Sequence, residues 1–403
     1  LTSLLGIALL PALAWLLSMN RSAVNWRTVG GAFAIQAVIG ALVLYLPLGK
    51  SALAGMATGV DSVLGYSSAG IDFMFGPAVD DGFGFVFAFR VLPVIVFFSS
   101  LVSVLYHLGV MGWVIRVLGG ALQRAPGTSR PESLSAAANV FIGQSEAPLV
   151  VRPFLASMTR SVLFAIMVGG MATIAGSVMA GYAAIGIELK YLIAASFMAA
   201  PGGLMMAKIV LPETEVPKND LAELETTDSM QSVNVFDAAG TGALAGMQMA
   251  LAVGAMLVAF TALIALLNGM IGGVGSLVGV EDLSFQAILG VLFQPLAWAI
   301  GVPWSEASVA GSFIGQKLVV NEFIAYFAFV EVKDQLSAGT QAIITFALCG
   351  FANFSSIAIL LGGIGSVAPS RRDDIARLGV RALLAATLSN LMSAALAGFY
   401  LSL

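Results

Sequence analysis

Apolar runs of about 20 residues, the length of a bilayer-crossing helix, recur along this chain, separated by short segments that collect its Arg, Lys and Asp residues. The pattern predicts spanning helices over 4–17, 29–48, 85–107, 161–187, 192–211, 236–271, 343–367 and 378–401. Between the second and third, 52–82 is rich in Gly, Ser and Asp and reads as an external loop with an amphipathic helix. The stretch 212–234, with its Glu-Leu-Glu-Thr-Thr-Asp run, reads as a solvated linker. Two further apolar stretches carry too many polar breaks to be plain spans. One is 133–154, interrupted by Asn139, Gly143, Gln144, Glu146 and Pro148; the other is 293–330, with Pro303, Glu306, Lys317, Asn321 and Glu322.

Arginine positions decide how these two stretches run. If the spans alternate, eleven of the twelve arginines fall on one side, all but Arg90, and that side is cytoplasmic. Arg130 and Arg152 bracket the first interrupted stretch, so it must enter and return on that side as a re-entrant hairpin. The second must return to the opposite side to preserve the orientation of the last two spans. Irregular backbone at such depth is tolerated only where protein or cavity water satisfies it. Glu146 and Glu322 stand 176 positions apart in similar settings. Each is followed by a long apolar segment with a small, polar word inside it: Gly170-Met171-Ala172-Thr173-Ile174-Ala175-Gly176-Ser177, and Gly350-Phe351-Ala352-Asn353-Phe354-Ser355-Ser356. The halves therefore form inverted repeats with broken helices, sharing a site near the midplane.

Composition narrows the class. Of 403 residues 59% are apolar and 10% charged, against roughly 45–50% and 25% in soluble domains, and mean hydropathy is +0.97. With 45 Gly and 17 Met the chain suits close helix packing better than the alternation of a barrel. The segment 1–17 lacks a basic n-region and reads as a retained span, and the missing initiator Met suggests a trimmed chain. One cysteine, Cys349, excludes an internal disulfide, and the single His107 ends a helix.

A carboxylate at membrane depth persists where it faces a cavity, a partner or a substrate, which makes Glu146 and Glu322 the primary site candidates. Gln144, Ser145, Asn353 and Ser356 add acceptors and amides without a cation, a set suited to hydroxyls and a heterocycle and ill suited to phosphate or carboxylate. Asn139, Thr173 and broken-helix carbonyls supply the oxygen ligands a monovalent cation needs. An enzyme using the carboxylates as acid and base is disfavoured, because no metal-ligand spacing, nucleophile elbow or His occurs in the polar segments. An ion channel lined by the same groups, or an intramembrane enzyme acting on a lipid-linked substrate, is the competing reading; inverted repeats with broken helices favour alternating access over both.

These residues also carry a resemblance. The words 136–150 (Ala-Ala-Ala-Asn-Val-Phe-Ile-Gly-Gln-Ser-Glu-Ala-Pro-Leu-Val), 195–203, Asn321-Glu322-Phe323-Ile324-Ala325-Tyr326 and 349–357 resemble those of the bacterial concentrative nucleoside transporters, and the likeness runs end to end. The resemblance implies an all-α polytopic membrane protein with about eight transmembrane helices and two re-entrant hairpins, assembled as a homotrimer. It implies base recognition by Gln144, Ser145 and Glu146 between walls of Val178 and Phe351, and ribose recognition by Glu322, Asn353 and Ser356. It implies a sodium site formed by the side chains of Asn139 and Thr173 and the carbonyls of Ile142 and Ile174. Ser145 and Thr173 stand where the family commonly has Thr and Ser, both keeping the hydroxyl. Gly143 leaves more room than a serine would, a hint that purine as well as pyrimidine nucleosides enter.

The expectation is then a non-enzymatic symporter that imports nucleosides with sodium by an elevator-like movement, with proton coupling as the alternative. Sodium is a coupling ion and not a prosthetic group, and no nucleic acid partner is implied. The divisions are a scaffold over 1–127, the first hairpin and transport helices over 128–212, a linker and scaffold helix over 213–292, and the second hairpin and transport helices over 293–403. The expected location is a bacterial inner membrane, with both termini periplasmic.

Overall fold

The computed structural model describes residues 2–79, 86–124, 127–144, 146–217, 232–277, 279 and 283–403, and every regular element among them is a helix. α1 (Thr2–Leu16) and α2 (Trp26–Leu44) open the chain, the latter capped by Asn25, whose side chain accepts from the amides of Arg27 and Thr28. The expected extension of this span to residue 48 does not occur. Pro47 starts a new helix, α3 (Pro47–Gly65), which is followed by α4 (Ser67–Phe75). The short α5 (Phe87–Arg90) and α6 (Leu92–His107) make one span, and α7 (Val110–Arg124) is an amphipathic helix after it.

The first hairpin enters as α8 (Arg130–Ala138), where the Glu132 carboxylate accepts from the Ser129 amide at the helix start. It leaves as a 3-10 turn (Ala147–Val151) and the single-turn α9 (Arg152–Leu155). Pro148 and Pro153 remove amides that a continuous α-helix would need, so the two arms of this hairpin are unlike. α10 (Arg160–Ala172) and α11 (Gly176–Ala184) are the two halves of one broken span, and α12 (Leu189–Val210) closes the first repeat.

α13 (Val235–Leu277) has 43 residues, about 65 Å at 1.5 Å per residue and roughly twice the hydrocarbon thickness. It packs along α6. α14 (Phe285–Ala299) and α15 (Trp304–Val319) form a bent pair at 116°. The sequence reading began the second hairpin at 293 and made no separate helix of α14. The chain instead turns at Gly301, whose φ of +116° an L side chain rarely adopts, and the inward arm starts at Trp304. The return arm is α16 (Glu322–Val332), capped by Asn321. α17 (Ala338–Leu348) and α18 (Phe354–Val367) are the second broken span, and α19 (Arg372–Leu401) ends the chain.

Six of these helices, counting the paired halves Arg160–Ala184 as one, are long and apolar enough to cross a membrane. α1, at 15 residues, and the half-helices α17 and α18 occupy the other two expected spans. The ends of the molecule agree with the arginine count. Arg160 pairs with Asp374 at 3.3 Å and Arg371 donates to the Met158 carbonyl at 2.7 Å, bringing 158–160 and 371–374 to one end. The chain's own ends lie together, because a Cβ on Gly398 would stand 3.0 Å from the Ser3 hydroxyl.

Burial separates two bodies. The apolar windows of Arg160–Ala184 and Leu189–Val210 are 100% and 94% buried, whereas those of Phe87–His107 and Val235–Leu277 are 17% and 11% buried. The hairpins, broken spans, α12 and α19 thus form the core. α13 and α6 lie against it with most of their apolar surface outward.

Candidate substrate and ion site

The two helix breaks are joined through their backbones and one side chain. The Phe351 amide donates to the Thr173 carbonyl at 3.1 Å, and the Asn390 Nδ2 amide donates to the carbonyls of Ala172 (2.6 Å) and Cys349 (2.9 Å). The carbonyls of Ala172, Thr173 and Cys349, freed at the breaks, are thereby partnered inside the protein. Such closeness needs glycine: a Cβ on Gly350 would stand 2.7 Å from the Ala172 carbonyl oxygen and collide with the Asn390 side chain. The first hairpin joins the same seam, the Gly176 amide donating to the Phe141 carbonyl at 2.9 Å.

Beside this seam opens a cleft of about 150 Å³, lined by residues from both hairpins, both broken spans and α13. Glu322, 4% exposed, begins α16, where the helix N-terminus favours a carboxylate. Its Oε1 accepts from the Tyr182 hydroxyl at 3.0 Å and its Oε2 from Asn353 Nδ2 at 2.9 Å. Asn353 Oδ1 meanwhile accepts from the Ser356 amide (3.0 Å) and the Ser355 hydroxyl (2.6 Å), so one side chain both caps α18 and orients the carboxylate. Gln144 Nε2 donates to Ser356 Oγ at 3.0 Å across the two repeats, and Gln144 Oε1 is buried with no hydrogen-bond partner among the described residues. Each carboxylate oxygen keeps a lone pair and Gln144 keeps an acceptor, while Val178 and Phe351 supply apolar walls. The cleft can accept hydroxyl and ring N–H donors on one side and a flat apolar body on the other.

The structure brings together Gln144, Val178, Glu322, Phe351, Asn353 and Ser356 as expected. It sets Glu146 apart. That side chain lines a neighbouring cavity of about 200 Å³ with Tyr106, Phe141, Ile142 and Ser177, toward α6 and α13. Ser145 lies outside the described residues.

The four expected ion ligands lie at the first hairpin's turn and the first break. Asn139 is fully buried, and neither Oδ1 nor Nδ2 has a hydrogen-bond partner among the described residues. It abuts Gly169, where an added Cβ would be 3.4 Å from Nδ2, and the Gly169 carbonyl accepts from the Thr173 hydroxyl at 2.9 Å. No described backbone amide donates to the carbonyls of Ile142 or Ile174. A buried carboxamide left unpaired is costly, and a small cation facing its oxygen would satisfy that acceptor.

The sequence reading gave no role to Tyr182, Lys317 or Asn390, nor to Met249 and Met256, with which α13 lines the cleft. Lys317 and Asn390 were detectable by the argument applied to the glutamates, polar groups inside apolar helices. The tyrosine and the methionines carry no such signal, since both residue types are ordinary in a membrane core.

Residues 191–398 match the family described as "Na+ dependent nucleoside transporter C-terminus", 5–78 its N-terminal counterpart, and 88–188 a family described as "Nucleoside recognition". The nucleoside permease NupC of Helicobacter pylori is 49% identical over 414 residues, covering 100% of this chain and 98% of that protein. Sodium/nucleoside cotransporter 1 of Homo sapiens is 40% identical, covering 99% of this chain and 63% of its own length. Among solved structures, the transporter CNTnw in an inward-facing substrate-bound state superposes with a TM-score of 0.96 at 57% identity, covering 100% of this chain and 97% of that one. A CNTnw variant in an outward-facing state gives 0.97 at 57% identity, covering 100% and 98%.

Proposed function

Given that the chain belongs to the Na+-dependent nucleoside transporter family, we propose that it imports nucleosides by symport with sodium. The observation that carries this reading is the Glu322 carboxylate, buried in a cleft between both repeats, held by Tyr182 and Asn353 and still able to accept from hydroxyls. Glu322, Asn353 and Ser356 bind the ribose. Gln144 reads the base edge between Val178 and Phe351, with Ser145 beside it and Glu146 reached through the adjoining cavity. Gly143, on the cleft wall, leaves room for purines beside pyrimidines.

Sodium binds at Asn139, Thr173 and the carbonyls of Ile142 and Ile174; the unpaired carboxamide of Asn139 is what favours an ion there. Because the ion site and the cleft share the hairpin turn at 139–144 and the broken span α10–α11, filling one orders the other. The core of hairpins and broken spans moves as an elevator against α6 and α13. Outward apolar side chains along α13, such as Leu244, Leu251 and Val258, fit a homotrimer contact at the scaffold. The arginine-rich end faces the cytoplasm of a bacterial inner membrane and both termini face the periplasm.

Uptake of labelled uridine into proteoliposomes tests the reading, with an inward sodium gradient compared against potassium and against a proton gradient. Accumulation is expected with sodium alone. Accumulation driven by protons alone would replace the ion, and an absence of nucleoside uptake under all three gradients would overturn the substrate.

A further inference from the structure

Four charged side chains of the described residues are buried to below a tenth of their surface: Glu132, Lys208, Lys317 and Glu322. Glu132 and Lys208 pair directly at 2.7 Å. Lys317 is used differently. Its Nζ donates to the Ala347 carbonyl at 2.9 Å and to Asn390 Oδ1 at 2.6 Å, close enough to Glu322 to feel its field, while Glu322 takes its own hydrogen bonds from Tyr182 and Asn353.

The repeat structure gives this arrangement a meaning. In the first repeat the hairpin's inward arm ends in a neutral carboxamide, Asn139, without a hydrogen-bond partner among the described residues and set against the end of α10. In the second repeat the inward arm carries an ammonium set against the end of α17. Both half-helices stop there with carbonyls exposed toward the break, and the partial negative charge at a helix C-terminus favours a cation. Asn390 spans the two breaks, its Nδ2 on the carbonyls of Ala172 and Cys349 and its Oδ1 on Lys317. Oxygens that would otherwise need a dissolved ion are thus occupied by the chain's own cation, which also balances the charge of Glu322 in a medium where an unbalanced carboxylate is costly.

We propose that the Lys317 ammonium is the resident cation of the second repeat, filling a latent cation site built from the Ala347 carbonyl and Asn390. Each protomer then needs a single dissolved cation, at the first repeat, for every nucleoside it moves. The inference rests on the symport reading for the identity of that dissolved ion, and not for the role of Lys317.

The test compares the full-length wild type with Lys317→Met and Lys317→Ala in proteoliposomes. Wild type should move one positive charge per uridine. Lys317→Met keeps the side chain's bulk without its charge, and uptake should fall at least about tenfold. Lys317→Ala opens the site, so uptake should return with added methylammonium, or with high sodium at a Hill coefficient rising from about 1 to about 2. A variant that assembles poorly is read by melting of the purified protein, where methylammonium should raise the midpoint of Lys317→Ala and leave wild type unmoved. Two charges per uridine in wild type, a Met variant with normal uptake, or an Ala variant blind to methylammonium in both assays would each overturn the proposal. Uptake driven by protons in wild type would fail the sodium reading alone, since charge ratio and methylammonium response still report on Lys317.

Discussion

Each oxygen of Glu322 accepts one hydrogen bond inside the protein, so exchanging either partner or the carboxylate itself has a calculable direction. Glu322→Gln turns an acceptor into a donor that must face Tyr182 or Asn353. The unpaired donors cost about 2–3 kcal/mol, and uridine uptake in proteoliposomes should fall ~100-fold. Tyr182→Phe removes one bond to a charged acceptor, worth about 1.5 kcal/mol, and should raise half-saturating uridine roughly tenfold while maximal uptake changes less. Asn139→Ala deletes the buried carboxamide without touching the cleft. It should weaken sodium in binding titrations and weaken uridine only when sodium is present, by no more than the factor by which bound sodium tightens uridine, a factor that reciprocity makes the same in both directions. The carboxylates, Asn139 and Gln144 were legible from residue type, since polar groups in apolar surroundings are few. Tyr182 was not, because its role depends on which helix it meets.

Among elements, the breaks are where sequence and structure agree most closely. Small and polar words at 170–177 and 350–356 predicted interruptions, and the chain is interrupted at 173–175 and 349–353. What they could not convey is that the breaks bond to each other. Gly350→Ala would press a Cβ against the Ala172 carbonyl and Asn390; overpacking of this kind costs about 1–3 kcal/mol, and the purified protein should melt at lower temperature. Asn321 accepts from the Ile324 amide at 2.9 Å to start the return arm. Asn321→Ala should cost about 1 kcal/mol, a smaller fall in melting midpoint than that of Gly350→Ala. α14 escaped the sequence reading because its apolar pattern continues into α15, and only the turn at Gly301 divides them. The unlike outward arm of the first hairpin was written in Pro148 and Pro153, though its 3-10 form was not.

For the whole molecule, the sharp difference in burial between the core and the pair α6 and α13 sets the expected moving boundary. Ser177 on α11 and Met249 on α13 meet across it, Oγ and Sδ being 3.5 Å apart. A Ser177→Cys, Met249→Cys protein, with the buried Cys349 unreactive, should lose uptake on oxidation and recover it on reduction. Uptake that persists in the fully cross-linked protein would mean the core does not slide past α13.

Hydrophobic run length, arginine asymmetry and polar residues inside apolar segments were enough to specify a helical membrane protein with inverted repeats, two re-entrant hairpins and two acidic centres. Those signals are local, because bilayer thickness and the cost of burying charge act on each segment by itself. Which polar groups share one cleft is set by helix packing between segments 31 to 218 residues apart, for which a single sequence carries no distance. Packing therefore decided that Gln144 meets Ser356, that Tyr182 and Asn353 hold Glu322 while Glu146 faces a separate cavity, and that Lys317 and Asn390 bind the two breaks into one seam.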